Sequence, residues 1–135
     1  KVALTNIKPD LALIIDGAKA KSREDIYEKI HISKGPAIYK GPSSHPILTK
    51  WLEDFAKDNK CDYQLKAASG KNSTATWEIQ IGIGGIPTAV VLNPVKYPTS
   101  SVEVVDKNDI VETQKLLLGF LEHIDKKDWR ELLCF

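Results

Sequence analysis

Two short, uninterrupted apolar runs, Leu11 to Ile15 and Pro87 to Leu92, constrain this chain more than any other feature. Each is too short for an ordinary helix and is bounded by turn-forming residues, so each reads as a buried strand. Pro9 and Asp10 precede the first run, and Asp16 and Gly17 close it. Asp16 is therefore expected to emerge at that strand's C-terminal end. The second run contains Val90, Val91 and Leu92, which are continuous and β-prone.

A different period separates them. Ile47, Leu48, Trp51, Leu52 and Phe55 recur at helical spacing, with Glu53, Asp54, Lys57 and Asp58 on the other face and Pro46 suited to the first turn. A surface helix is expected from His45 to about Asn59, with Ser44 as its cap. A second long helix is expected over Lys107 to His123, with Ile110, Leu117, Phe120, Leu121 and Ile124 on one face. Shorter strands are expected near Pro36 to Tyr39, Asp62 to Ala67 and Val102 to Val105. The stretch Ala75 to Ile83 fits strand and helix equally, and Gly84 and Gly85 after it favour a helix end. Lys19 to Lys34 is expected to be an exposed connection with some helix near Glu24 to Ile30, and Val2 to Ile7 a short helix ending before Pro9. Helices set between apolar strands define an α/β fold, expected as a three-layer α/β/α arrangement over residues 1–135.

A chain of 135 residues can bury a core without cross-links. Its 19 Lys and Arg against 18 Asp and Glu leave +1, spread along the sequence, so no field for nucleic acid or an anionic membrane is implied. No apolar run approaches the roughly 20 residues that cross a bilayer, and the first residues lack a secretory pattern. A cytoplasmic location is the resulting expectation. Cys61 and Cys134 form no CxxC pair and are expected as reduced thiols. The start at Lys1, with no methionine in the chain, is expected of a part of a longer protein.

Asp16 is the first candidate for chemistry, because a carboxylate at a strand end can bind a divalent metal; an Asp followed by Gly equally forms a turn. His31, His45 and His123 show no HxH or HExxH spacing, so they do not make a zinc site by pattern. No GxSxG elbow frames any serine, and Gly82 to Gly85 lacks the Lys and Ser or Thr of a phosphate loop, which leaves a turn as the simpler reading. Glu78 is expected on the outer face of a helix, and Glu103 to support a metal ligand or, as the simpler reading, to stabilise a loop.

Several stretches in order resemble one family. They are Lys8-Pro9-Asp10 with Leu11 to Asp16, Lys34-Gly35-Pro36-Ala37-Ile38, His45-Pro46, Gly85 to Val91, and Tyr97 to Val105. Together they resemble the C-terminal half of the M42 metallo-aminopeptidases, the group of glutamyl and tetrahedral aminopeptidases. That resemblance implies that Asp16 matches a ligand of one of two divalent ions, zinc or cobalt, in enzymes that remove N-terminal residues from peptides. It also implies that the first histidine, the bridging aspartate and the catalytic Glu-Glu pair belong before Lys1. Two positions depart from the pattern: Thr99 stands where a metal-binding histidine is expected, and Ala75 replaces an aspartate. The expectation is an inactive or incomplete aminopeptidase-like chain, without a cofactor of its own and with no catalytic residue, in a structural or regulatory assembly role. The family implies homo-oligomers. Alternatives are a peptidase site completed by a complementary aminopeptidase segment, or a small peptide-binding domain.

Overall fold

The computed structural model describes residues 6–23, 28–67, 75–80 and 85–132. Five strands form one mixed sheet: β1 (Ala12–Lys19), β2 (Ala37–Lys40), β3 (Gln64–Ala67), β4 (Thr88–Lys96) and β5 (Val104–Val105). The order is β1-β4-β2-β3, and β5 also pairs with β4. Strand β4 is central, and Thr88 to Leu92 are all buried, as a strand covered on both faces requires. It runs parallel to β1 along eight register pairs from Ala12 with Thr88 to Lys19 with Val95. It is antiparallel to β2 and to β5, and β2 is parallel to β3. Pro94 lies between the Leu92 and Val95 pairings, in the gap where β4 passes from β2 to β5 and needs no ladder donor.

Helix α1 (Pro46–Asp58) and helix α3 (Lys107–His123) pack on the same face of the sheet; α2 (Thr76–Gln80) is a short helix before β4. Leu48, Trp51, Leu52 and Ala56 from α1 meet Leu116, Leu117 and Phe120 from α3 over Ile38, Ala89 and Val91. Each fully buried large side chain here contributes about 1.5–3 kcal/mol. Phe55 and Phe120 meet edge to face, with ring centroids 6.1 Å apart. A second cluster on the sheet joins Ala18, Ile30, Ala37, Tyr39, Val90 and Leu92.

The long helices fall where their periodicity placed them, with two corrections. The α1 cap is His45, not Ser44: His45 Nδ1 accepts the Leu48 amide at 3.4 Å, while Ser44 Oγ turns back to the Tyr39 and Gly41 carbonyls. On α3, Ile110 and Leu121 are each 47% exposed, and the buried stripe runs instead through Asp109, Thr113, Leu116, Leu117 and Phe120. The buried polar residue explains the shift. Asp109 accepts the amides of Ser33 at 2.9 Å and Gly35 at 2.8 Å, so the first turn of α3 is rotated toward that loop. Gly35 is left-handed at φ +77°, and a Cβ there would collide with the Asp62 backbone carbonyl.

Other expectations resolve as follows. Glu28 to Ile30 are not helical and Ile30 is buried; residues 24–27 of the expected helix lie outside the described residues. Of the helix expected at Val2 to Ile7, only Asn6 and Ile7 are described, and both are helical. The Ala75 to Ile83 stretch, which fitted strand and helix equally, is helical over Thr76–Gln80; residues 81–84 lie outside the described residues. Cys61 is a buried thiol whose pKa burial pushes up, and Cys134 is outside the described residues. The C-terminal segment, as far as Leu132, packs on the helix face of the sheet. Leu132 is buried in the helix-face core, Trp51 Nε1 donates to Glu131 at 3.3 Å, and the Lys127 ammonium lies 5.8 Å over the Trp51 ring. Among the described residues no helix is long and apolar enough to cross a membrane.

Candidate functional site

The first strand is not the buried element that its apolar run promised. β1 forms an edge of the described sheet, Leu11 to Ile14 are only half-buried, and Ile15 is 57% exposed. Asp16 does not end the strand either, because pairing with β4 carries β1 three residues further to Lys19. Asp16 lies opposite Leu92 and is exposed, and its Oδ1 accepts the amide of Gly17 at 2.8 Å. By strand alternation its side chain shares a face with Ile14 and Ala18, away from the two long helices.

Beyond the end of β4 the chain turns sharply through Tyr97 to Val102. Tyr97 and Thr99 are both left-handed, at φ 57° and 66°. For a β-branched residue such as Thr99 this conformation is costly, on the order of 1–3 kcal/mol, and persists only where its surroundings impose it. The restraint is visible. The Thr99 amide donates to Glu103 Oε1 at 2.6 Å, and Ser100 Oγ lies 2.7 Å from the carbonyl oxygens of Tyr97 and Val102. Glu103 thus holds this loop, the role expected for it.

The histidines are committed elsewhere. His45 caps α1 and bonds the Leu132 backbone, and burial holds its pKa below the ordinary imidazole value against that bond. His123 Nδ1 lies 2.8 Å from the Gly119 carbonyl in the last turn of α3 and its ring packs on Phe55. His31 lies in the connection before β2, where its backbone pairs with the Gln64 side chain. Among the described residues no three His, Cys, Asp or Glu side chains converge as a metal site. A pair of divalent ions needs several carboxylate or imidazole donors. One exposed aspartate and a threonine hydroxyl do not fit that requirement.

Sequence reasoning missed two anchoring residues. Glu53 faces inward from α1 and pairs with Lys40 and Lys57; hydrogen bonds from both lysines hold its carboxyl below the usual range, against burial. The Lys57 pair at i, i+4 was legible; the Lys40 partner on β2 was not. The other is Asp109. Its first-turn position suits the helix dipole, but nothing local reveals that it binds the Ser33 to Gly35 loop.

The mixed sheet with helices on it places the molecule in the α/β class, and the comparisons give it a family. The model of the M42 glutamyl aminopeptidase family matches residues 1–116, and the chain belongs to that family. It is 34% identical over 122 residues to a putative aminopeptidase of Acetivibrio thermocellus, covering 87% of this chain and 37% of that protein. It is 29% identical over 130 residues to the lysyl aminopeptidase of Pyrococcus furiosus, covering 96% of this chain and 38% of that one. Among solved structures it is similar to an aminopeptidase from Desulfurococcus kamchatkensis, with TM-score 0.77, 27% identity, and 90% and 36% of the two chains covered. A TET1 peptidase of Pyrococcus horikoshii, described as able to assemble into a tetrahedron or a large octahedral shell, shares the fold at TM-score 0.66 and 22% identity, over 87% and 34%. The chain spans 38% and 37% of these two curated relatives, nearer a third of their length than the expected half.

Proposed function

We propose that residues 1–135 are one α/β part of an M42 aminopeptidase-like domain, which does not remove N-terminal residues from peptides by itself and serves assembly in a structural or regulatory role. The observation that carries this reading is the donor set among the described residues: Asp16 is one exposed carboxylate on β1, and the loop after β4 carries Thr99 where the family resemblance calls for an imidazole. A neutral hydroxyl is a poor zinc donor beside a ring nitrogen. Assembly draws support from the shells that the Pyrococcus horikoshii relative forms and from Ile110, Val111, Leu118 and Leu121, all exposed on α3. We place the protein in the cytoplasm, where the Cys61 thiol stays reduced.

The test is direct. After dialysis the chain should hold no stoichiometric zinc or cobalt and should not cleave aminoacyl substrates. A retained metal that Asp16→Ala removes, or cleavage that the same substitution abolishes, sinks the reading. Native mass measurement should show an oligomer; a monomer at high concentration counts against the assembly role.

A specific observation favours a second reading. The second oxygen of Asp16 bonds no described residue, and the carboxylate is exposed. Both support a reading in which Asp16 is one ligand of a metal site whose other donors come from a complementary aminopeptidase segment. Thr99→His would then strengthen metal retention in the completed protein, and no change there would count against it.

A further inference from the structure

We infer that the cavity between the end of β2 and the first turn of α1 binds a small phosphate, either the free ion or a phosphomonoester. Lys40, Gly41, Ser44, Pro46, Thr49 and Lys50 line a space of about 260 Å³ there. That is below the roughly 300–1,000 Å³ of a pocket for a drug-sized molecule, which suits a compact group. The loop between the two elements is fixed at both ends. The Ser44 amide donates to the Gly41 carbonyl at 3.0 Å, and the His45 amide donates to the Thr88 carbonyl, at the start of β4, at 2.7 Å.

The hydroxyl of Thr49 carries the argument. Thr49 is 3% exposed, and its buried Oγ1 has no hydrogen-bond partner among the described residues. A helical threonine can return its hydroxyl to the carbonyl one turn back. Thr113 on α3 does so, donating to the Asp109 carbonyl at 2.7 Å. Thr49 does not. It stands one turn before Glu53, whose carboxylate reaches Lys40, so both face the end of β2. Side chains on a helix lean toward its N-terminus, which directs Thr49 toward the Gly41 to Ser44 loop and the cavity. A buried hydroxyl without a partner is costly, and an acceptor seated in the cavity removes that cost.

The charges select an anion. Helix α1 has 13 residues and no acidic residue in its first turn, so the positive end of its dipole is uncompensated. Lys50 is exposed and has no carboxylate partner among the described residues, and no Asp or Glu is among the lining residues. Lys40 shares the single Glu53 carboxylate with Lys57, so that cluster keeps a positive charge. A phosphate presents three or more acceptor oxygens, one for the Thr49 hydroxyl and one for each ammonium. A carboxylate has only two.

Inorganic phosphate, titrated into the full chain at fixed ionic strength with chloride as the balancing ion, tests the site. It should shift the Gly41 and Thr49 amide resonances to saturation, which the general effect of an excluded salt does not produce. Thr49→Val keeps the branched shape without the hydroxyl. It should weaken phosphate about tenfold and leave the phosphate-free thermal midpoint no lower. Lys50→Gln, at an exposed position, should weaken phosphate without disturbing the fold. Ser43→Ala is the control, because Ser43 Oγ is also buried without a described partner but Ser43 is not among the lining residues. Its phosphate affinity should match that of the unsubstituted chain. Methyl phosphate binding more tightly than inorganic phosphate assigns the site to a phosphomonoester, and the reverse order to the free ion; either sustains the inference. Shifts that never saturate, acetate binding as tightly as phosphate, or unchanged affinity in Thr49→Val or Lys50→Gln overturns it. Equal losses in Thr49→Val and Ser43→Ala also overturn it, because the substitutions then act through the fold and not through a contact.

Discussion

The two sides of this sheet's central strand are finished to different degrees. Toward β2 and the long helices, Leu48, Trp51 and Leu52 are buried as the helical period of α1 promised, Ile47 and Phe55 are partly buried beside them, and loop, helix and tail are pinned by Asp109, Glu53 and His45. Toward β1, an equally apolar run ends half-buried, and the sole candidate metal ligand lies on it. The contrast teaches that the described core and the candidate ligand Asp16 lie on different parts of the sheet, so core stability can be probed by mutation without touching Asp16.

Substitutions rank along that contrast. The largest loss belongs to the finished side: Leu52→Ala or Leu116→Ala, at fully buried positions, should lower unfolding free energy by about 2–5 kcal/mol in urea titration. A loss below 1 kcal/mol would mean that the helices are not what holds the fold. Asp109→Ala strands two backbone amides and should cost about 2 kcal/mol, with faster exchange at Ser33 and Gly35 as its local signature.

Next comes the pH response. The folded state holds His45 below the ordinary imidazole value, so the unfolded chain binds the proton more tightly. The stability from neutral His45 is present above about pH 6.5 and lost as pH falls from there through the folded value. His45→Asn keeps a capping acceptor without a titration and should flatten that window, whereas His45→Ala should cost about 1 kcal/mol near neutrality. Glu53 has the same sign at lower pH: its contribution is present above about pH 4.3 and is lost as pH falls through its lowered folded value. Glu53→Gln should remove that acid limb, and an unchanged thermal midpoint against pH would refute the ion-pair assignment.

The smallest effect lies on the unfinished side. Ile15→Lys should change the stability of the isolated chain by no more than about 0.5 kcal/mol, because the side chain already meets solvent. A loss of several kcal/mol would show that β1 is covered in the free protein and would erase the contrast.

The sequence by itself determined the α/β class, the limits of both long helices to within about a residue, and a buried strand through Thr88 to Leu92, because each rests on a local period or an unbroken apolar run. The roles of Asp16 and Thr99 come from the family resemblance alone, as single residues in a motif. Only the tertiary structure decided which apolar strand is central and which is at the edge, since Leu11 to Ile15 and Pro87 to Leu92 look alike until their neighbours are placed. It also decided that His45 and not Ser44 caps α1, and that Asp109 turns α3 so that Ile110 faces out. These outcomes depend on partners dozens of residues away, and no local pattern encodes a partner.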